Sequence, residues 1–141
     1  MSGNLRLDVV TPKGRVFSSD VSEIQFPSAS RGCYGILPGH TPVLTPLGDG
    51  LLTCLAEGRA TTLTVFGGFA EAGPGHVTIL ARESETADSL DENEINEKLR
   101  RAENSYRDAK TFEEQLEHRA AIDACNLRLR ALGSKGHGER D

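Results

Sequence analysis

Gly73-Pro74-Gly75-His76-Val77-Thr78-Ile79-Leu80 marks the point where the chain changes its grammar. A Gly-Pro-Gly turn leads into a run of β-branched and apolar residues, the pattern of a hairpin strand. All six prolines and twelve of the fifteen glycines lie at or before Gly75, and neither residue occurs between His76 and Leu132. Glycine and proline punctuate short strands, and their absence permits long helices. The pattern predicts an α+β chain. An antiparallel β-sandwich, or flattened barrel, spans residues 1–86. A two-helix antiparallel hairpin follows over 87–133, with a flexible tail over 134–141.

Upstream of that turn the strand signals are regular. Leu5, Leu7 and Val9 alternate with Arg6 and Asp8, the period of a half-buried strand. Pro12-Lys13-Gly14 turns the chain, and Val21 to Phe26 is a second candidate. Gly48-Asp49-Gly50 and Glu57-Gly58-Arg59 bracket Leu51 to Leu55, and Thr61 to Phe66 is rich in β-branched residues. Gly67-Gly68 marks a bulge or a close approach of backbones.

Downstream, two helix starts carry capping-box spacing: Asp91 with Glu94, and Thr111 with Glu114. Ile95, Leu99, Ala102, Tyr106 and Ala109 line one face of the first helix. Leu116, Ala120, Ala124, Leu127 and Ala131 line one face of the second, and Gly133 is the expected stop. The link at Lys110-Thr111 is short enough to make the pair antiparallel. Only three stripe residues of the first helix are sizeable, and burying each would contribute about 1.5–3 kcal/mol. Glu94–Lys98, Glu97–Arg101 and Glu103–Arg107 have i,i+4 spacing. They read either as support for a helix that stays helical after undocking or as a solvated face.

Composition narrows the function. A net charge of −5 argues against nucleic acid as a partner. No apolar run approaches the roughly 18–20 residues that span a bilayer, and the first residues lack signal-peptide features, so a cytosolic or cytosol-facing protein is expected. Cys33, Cys54 and Cys125 form no CxxC pair, and the four histidines lack ligand spacing, so neither a metal nor another cofactor is expected. Neither a phosphate-cradling Gly-rich loop nor a nucleophile elbow is present. His40 sits in Gly35-Ile36-Leu37-Pro38-Gly39-His40-Thr41-Pro42-Val43-Leu44, where two prolines limit the backbone. That bend reads either as a preformed docking ledge or as a closure of the sandwich. A hydrolase using His40 and Glu71, or a free-standing adaptor, are alternatives from other classes; an activity screen of the isolated protein and co-purification separate them.

Leu7-Asp8-Val9-Val10-Thr11-Pro12, Val16-Phe17, the bend from Gly35 to Thr45, Gly67-Gly68-Phe69-Ala70-Glu71 and Val77-Thr78-Ile79-Leu80-Ala81 closely resemble the epsilon subunit family of bacterial F-type ATP synthases. The likeness runs in order from about Leu5 to Leu132. It implies a non-catalytic central-stalk subunit of a proton-translocating synthase. Such a subunit lies at the cytoplasmic face of the bacterial inner membrane and touches the membrane only through the complex. It implies partners: the gamma subunit and the c-ring, and the catalytic beta subunit with alpha when the helices extend. Arg31, Cys33, Tyr34, His40 and Pro42 are then the candidate gamma and c-ring contacts. Arg119, Arg128 and Arg130 are the candidate inhibitory contacts. A purely structural coupler without inhibition is the alternative within the family.

Two positions depart from the family pattern. Some members bind ATP through an Ile/Leu-Asp-x-x-Arg-Ala motif, whereas this chain reads Leu90-Asp91-Glu92-Asn93-Glu94-Ile95. Glu94 at the arginine position would repel phosphate, so weak or no ATP binding is expected. Cys33 stands where many members have a glutamate facing the c-ring, so the ring contact differs chemically or is made by Arg31.

Overall fold

The computed structural model describes residues 5–29, 32–36 and 42–138. The strands are β1 (Leu5–Thr11), β2 (Gly14–Val21), β3 (Glu23–Ser28), β4 (Gly32–Ile36), β5 (Val43–Pro46), β6 (Gly50–Ala56), β7 (Arg59–Phe66), β8 (Phe69–Gly73), β9 (His76–Leu80) and β10 (Glu83–Thr86). They form two five-stranded sheets, in the orders β2-β1-β9-β8-β5 and β10-β7-β6-β3-β4. A 3₁₀ turn over Ala87–Ser89 leads to helix α1 (Glu92–Asp108) and helix α2 (Phe112–Gly138).

Alternation places the core. Leu7 and Val9 on β1 face Val77 and Ile79 on β9, and Phe26, Leu52, Leu63 and Val65 close the same cluster from the other sheet. Arg6 and Asp8, one residue out of phase, lie on the outer face. The β1–β9 pair is parallel, unlike the other strand pairs among the described residues. Local turns favour antiparallel neighbours, but β1 and β9 are joined by most of the sandwich, which acts as one long crossover.

The deciding turn has the geometry its residues require. Gly73 pairs with His76 across Pro74-Gly75, and Gly75 has φ +79°, as the third position of a type II turn demands. Gly68 is a close approach: a Cβ there would lie 1.9 Å from the Leu80 carbonyl oxygen.

Both helix starts are capped. Asp91 Oδ1 accepts from the N–H groups of Asn93 and Glu94 at 3.0 and 3.3 Å. Thr111 and Glu114 complete a reciprocal box at 3.1 and 3.3 Å. Ile95 and Ala102 are buried as expected. The stripe on α2 holds only in its second half. Leu127 and Ala131 are buried with Cys125, but Leu116 and Ala120 are exposed, because the contacts of α2 with β6, β7 and the 3₁₀ turn lie along its later turns. Gly133 does not stop the helix, and residues 134–138, expected in the tail, continue it. Ala131 is packed away completely and Ser134 Oγ donates to its carbonyl at 2.7 Å, so docking outweighs the roughly 1 kcal/mol cost of a helical glycine.

The expected i,i+4 pairs on α1 are not formed among the described residues. Arg100 instead meets Glu97 one turn back at 2.9 Å, and Arg107 donates to Asn104. Exposed arginines on a helix have several neighbours at similar distance, and such pairs differ little in energy.

Candidate functional site

The two outer faces of the sandwich are chemically unlike. On the first sheet, cross-strand register aligns Val10 with Leu80, Leu80 with Phe69, and Phe69 with Pro46. All four lie on the outer face, out of phase with the buried Val9, Ile79, Ala70 and Thr45. Phe69 is 53% exposed and Leu80 49%, and Leu44 on the same strand as Pro46 is 69% exposed. Single exposed apolar residues are ordinary, but a row across four neighbouring strands is a docking signature. Gly68 sharpens it, since its missing side chain lets the β8 backbone lie against β9 and sets Phe69 opposite Leu80.

Polar residues border the row. Arg6 Nη2 donates to Ser18 Oγ, and Ser18 Oγ donates to Asp8 Oδ1, both at 2.6 Å. Arg6 also approaches Asp20 at 3.4 Å. This ladder fills the β1–β2 end of the face, while at the β8–β5 end one charged residue, the exposed Glu71, stands in register with Leu44 among the apolar side chains.

The outer face of the second sheet is covered by α2 at its β10–β7–β6 end. Thr62, Thr64 and Phe66 alternate with the core residues Leu63 and Val65 and point outward, yet all three are buried. Glu83 and Glu85 pair with Phe66 and Thr64 in register and share that face. Arg128 descends onto them from α2. Its Nε donates to both Glu85 carboxylate oxygens at 3.0 and 3.1 Å, and its Nη2 donates to Glu83 Oε1 at 3.2 Å. The guanidinium also lies 4.9 Å from the centre of the Phe66 ring. Thr64 Oγ1 donates to Glu85 Oε1 at 2.8 Å, so Glu85 is held from below and above. Beside this cluster a cleft of about 550 Å³ is lined by Asp49, Phe66, Arg82, Asp123 and Arg130, among others.

The residues singled out by sequence fall in separate places. Arg31 and His40 lie outside the described residues, as do residues 37–41 of the proline bend. Cys33 and Tyr34 stand on β4, in register with Pro27 and Phe26 at one edge of the second sheet; their side chains are outside the description. Pro42 is exposed just before β5, the edge strand of the other sheet. Arg119 is exposed and paired with Asp123 at 3.4 Å. Arg130 is exposed at the cleft and has no ion pair among the described residues. Only Arg128 is engaged with the sandwich. Its partners Glu83 and Glu85 were not anticipated; the signal was their two-residue spacing, which puts both carboxylates on one strand face. Glu94 is exposed on the first turn of α1. Burial pushes the Cys54 thiol up to about 11.

The family model for the ATP synthase delta/epsilon chain beta-sandwich domain matches residues 4–87. The chain belongs to the ATP synthase epsilon chain family. The plastid ATP synthase epsilon chain of Cuscuta reflexa is 34% identical over 91% of this chain and 93% of its own. The ATP synthase epsilon chain of Bacillus subtilis is 37% identical over 70% of this chain and 74% of its own. A chain in the mitochondrial ATP synthase OSCP/F1/c-ring structure of Euglena gracilis shares the fold, with a TM-score of 0.65 at 19% identity over 95% of this chain and 80% of that one. In this epsilon-family chain no helix, among the described residues, is long and apolar enough to cross a membrane.

Proposed function

We propose that this epsilon-family chain is a non-catalytic rotor subunit of a proton-translocating F-type ATP synthase at the cytoplasmic face of a bacterial inner membrane. It joins gamma to the c-ring through the sandwich and restrains ATP hydrolysis through its helices. The observation that carries the reading is the contrast between the two faces. One bears an uncovered apolar row suited to a permanent partner, and the other bears a hairpin held mainly by one helix. In the proposal the row Val10–Leu80–Phe69–Pro46 packs on gamma. The β4 edge with Cys33 and Tyr34 makes the remaining gamma and c-ring contacts, together with Arg31, His40 and Pro42.

When the hairpin lifts, Arg119, Arg128 and Arg130 become available to an acidic surface of the catalytic beta subunit or of alpha. The engagement of Arg128 by Glu83 and Glu85 favours the second reading, a structural coupler, for as long as the hairpin stays down.

ATP hydrolysis by the assembled complex decides between them, with the full chain compared with one ending at Ser89. A clear rise on truncation supports inhibition. Unchanged hydrolysis in an assembled, coupled complex leaves the coupler.

A further inference from the structure

We infer that Glu83 and Glu85 form a charge lock on Arg128 that sets how often the hairpin leaves the sandwich. The apolar contribution of α2 itself is small, although docking also covers Phe66 on the sheet. Of the described residues buried on α2, Leu127 is the only large one, and the others are Cys125 and Ala131. Small side chains remove little area from water. The polar contribution is concentrated in one place. The Arg128 side chain is only 18% exposed, and that of Glu85 31%. Water competes poorly there, and charge-assisted bonds from one guanidinium to two carboxylates, Nε shared over Glu85 and Nη2 on Glu83, are stronger than neutral ones.

The lock is also one-sided. Two carboxylates two residues apart on β10 face a single guanidinium, so lifting α2 leaves like charges side by side over the buried Thr64. The hydroxyl of Thr64 fixes Glu85 before the arginine arrives, which lowers the ordering cost of the contact. The ring of Phe66 supplies a flat seat for the guanidinium. Docking and any acidic partner on another chain therefore compete for the same side chain, and neutralising the glutamates frees it. The lock itself needs no other subunit, so it stands or falls separately from the proposed role in the synthase.

The test uses the isolated full chain with spin labels at two exposed positions, Lys13→Cys on the sandwich and Glu117→Cys on α2. Cys33 is replaced by serine and Cys125 by alanine, since undocking would open Cys125 to the label, while Cys54 in the sandwich core stays. Distance distributions are compared for the parent and for Glu83→Gln with Glu85→Gln. The expected result is a second, longer and broader distance, with the undocked-to-docked ratio raised at least about tenfold. An unchanged single distribution in a folded variant overturns the lock. Should the glutamine variant lose its sandwich fold, Arg128→Met decides, because that residue lies on the helix outside the sheets. A second distance there supports the lock, and its absence overturns it.

Discussion

The Thr64 hydroxyl both donates to the Glu85 carboxylate at 2.8 Å and accepts from the Glu85 backbone N–H at 3.0 Å. Thr64 is fully buried, so this pair is a fixed base under Arg128. Thr64→Val keeps the shape and removes both bonds. The expected loss is about 1–3 kcal/mol of unfolding free energy. Urea titration measures it, and a loss under a few tenths of a kcal/mol would show that Glu85 is positioned by other means.

The apolar row makes a different prediction. Phe69→Ser with Leu80→Ser removes apolar surface that is already about half exposed. Stability should change little, by about 1 kcal/mol or less, while affinity for gamma should fall at least about tenfold. Titration of labelled gamma against both forms reads this directly; equal affinities would move the gamma contact to another face.

Gly68→Ala tests the close approach. The added Cβ would lie 1.9 Å from the Leu80 carbonyl oxygen, and φ there is +106°. Backbone cannot yield as a flexible side chain does, so a loss of about 3 kcal/mol or more is expected. A melting temperature within a degree or so of the parent's would contradict that geometry.

Glu94 bears on ATP. It stands exposed on the first turn of α1, at the position where the family resemblance implies an arginine in ATP-binding members. Isothermal titration of the isolated chain should show no micromolar affinity for ATP, since a carboxylate there repels phosphate. Micromolar binding would overturn the expectation.

Cys54 supplies a pH dependence with a definite sign. Burial raises its thiol from 9.0 to about 11. The folded state thus favours the protonated thiol more than the unfolded chain does. The stability this represents is complete below about pH 9 and is lost as pH rises through about 11, an effect of order 2–3 kcal/mol. Unfolding titrations of the parent and Cys54→Ala between those pH values should diverge, with the parent losing stability faster. Parallel curves would mean that the thiol ionises as readily in the folded chain.

Much of the fold was legible before the structure. The Gly and Pro partition separated sheets from helices, alternation in β1 identified the core face, and cap spacing placed both helix starts within a residue. β10 was not legible: Glu83-Ser84-Glu85-Thr86 has no apolar residue on either face, since Glu83 and Glu85 meet an arginine and Ser84 donates to the Thr64 carbonyl at 2.6 Å. The first half of α2 misled in the opposite way. Leu116 keeps the helical apolar spacing yet is 54% exposed.

Local chemistry thus belongs to the sequence. Turn conformations, strand phase and helix caps depend on residues within a few positions of one another, so the chain alone determines them. Pairings across long separations do not. Arg128 and Glu85 are 43 residues apart, and nothing in either neighbourhood distinguishes this arginine from Arg119 or Arg130. Only packing α2 on the second sheet chose Arg128, covered part of one face and left the row through Phe69 bare. The reason is geometric: period and phase say which residues share a face, while the docking of one element on another decides which face meets water.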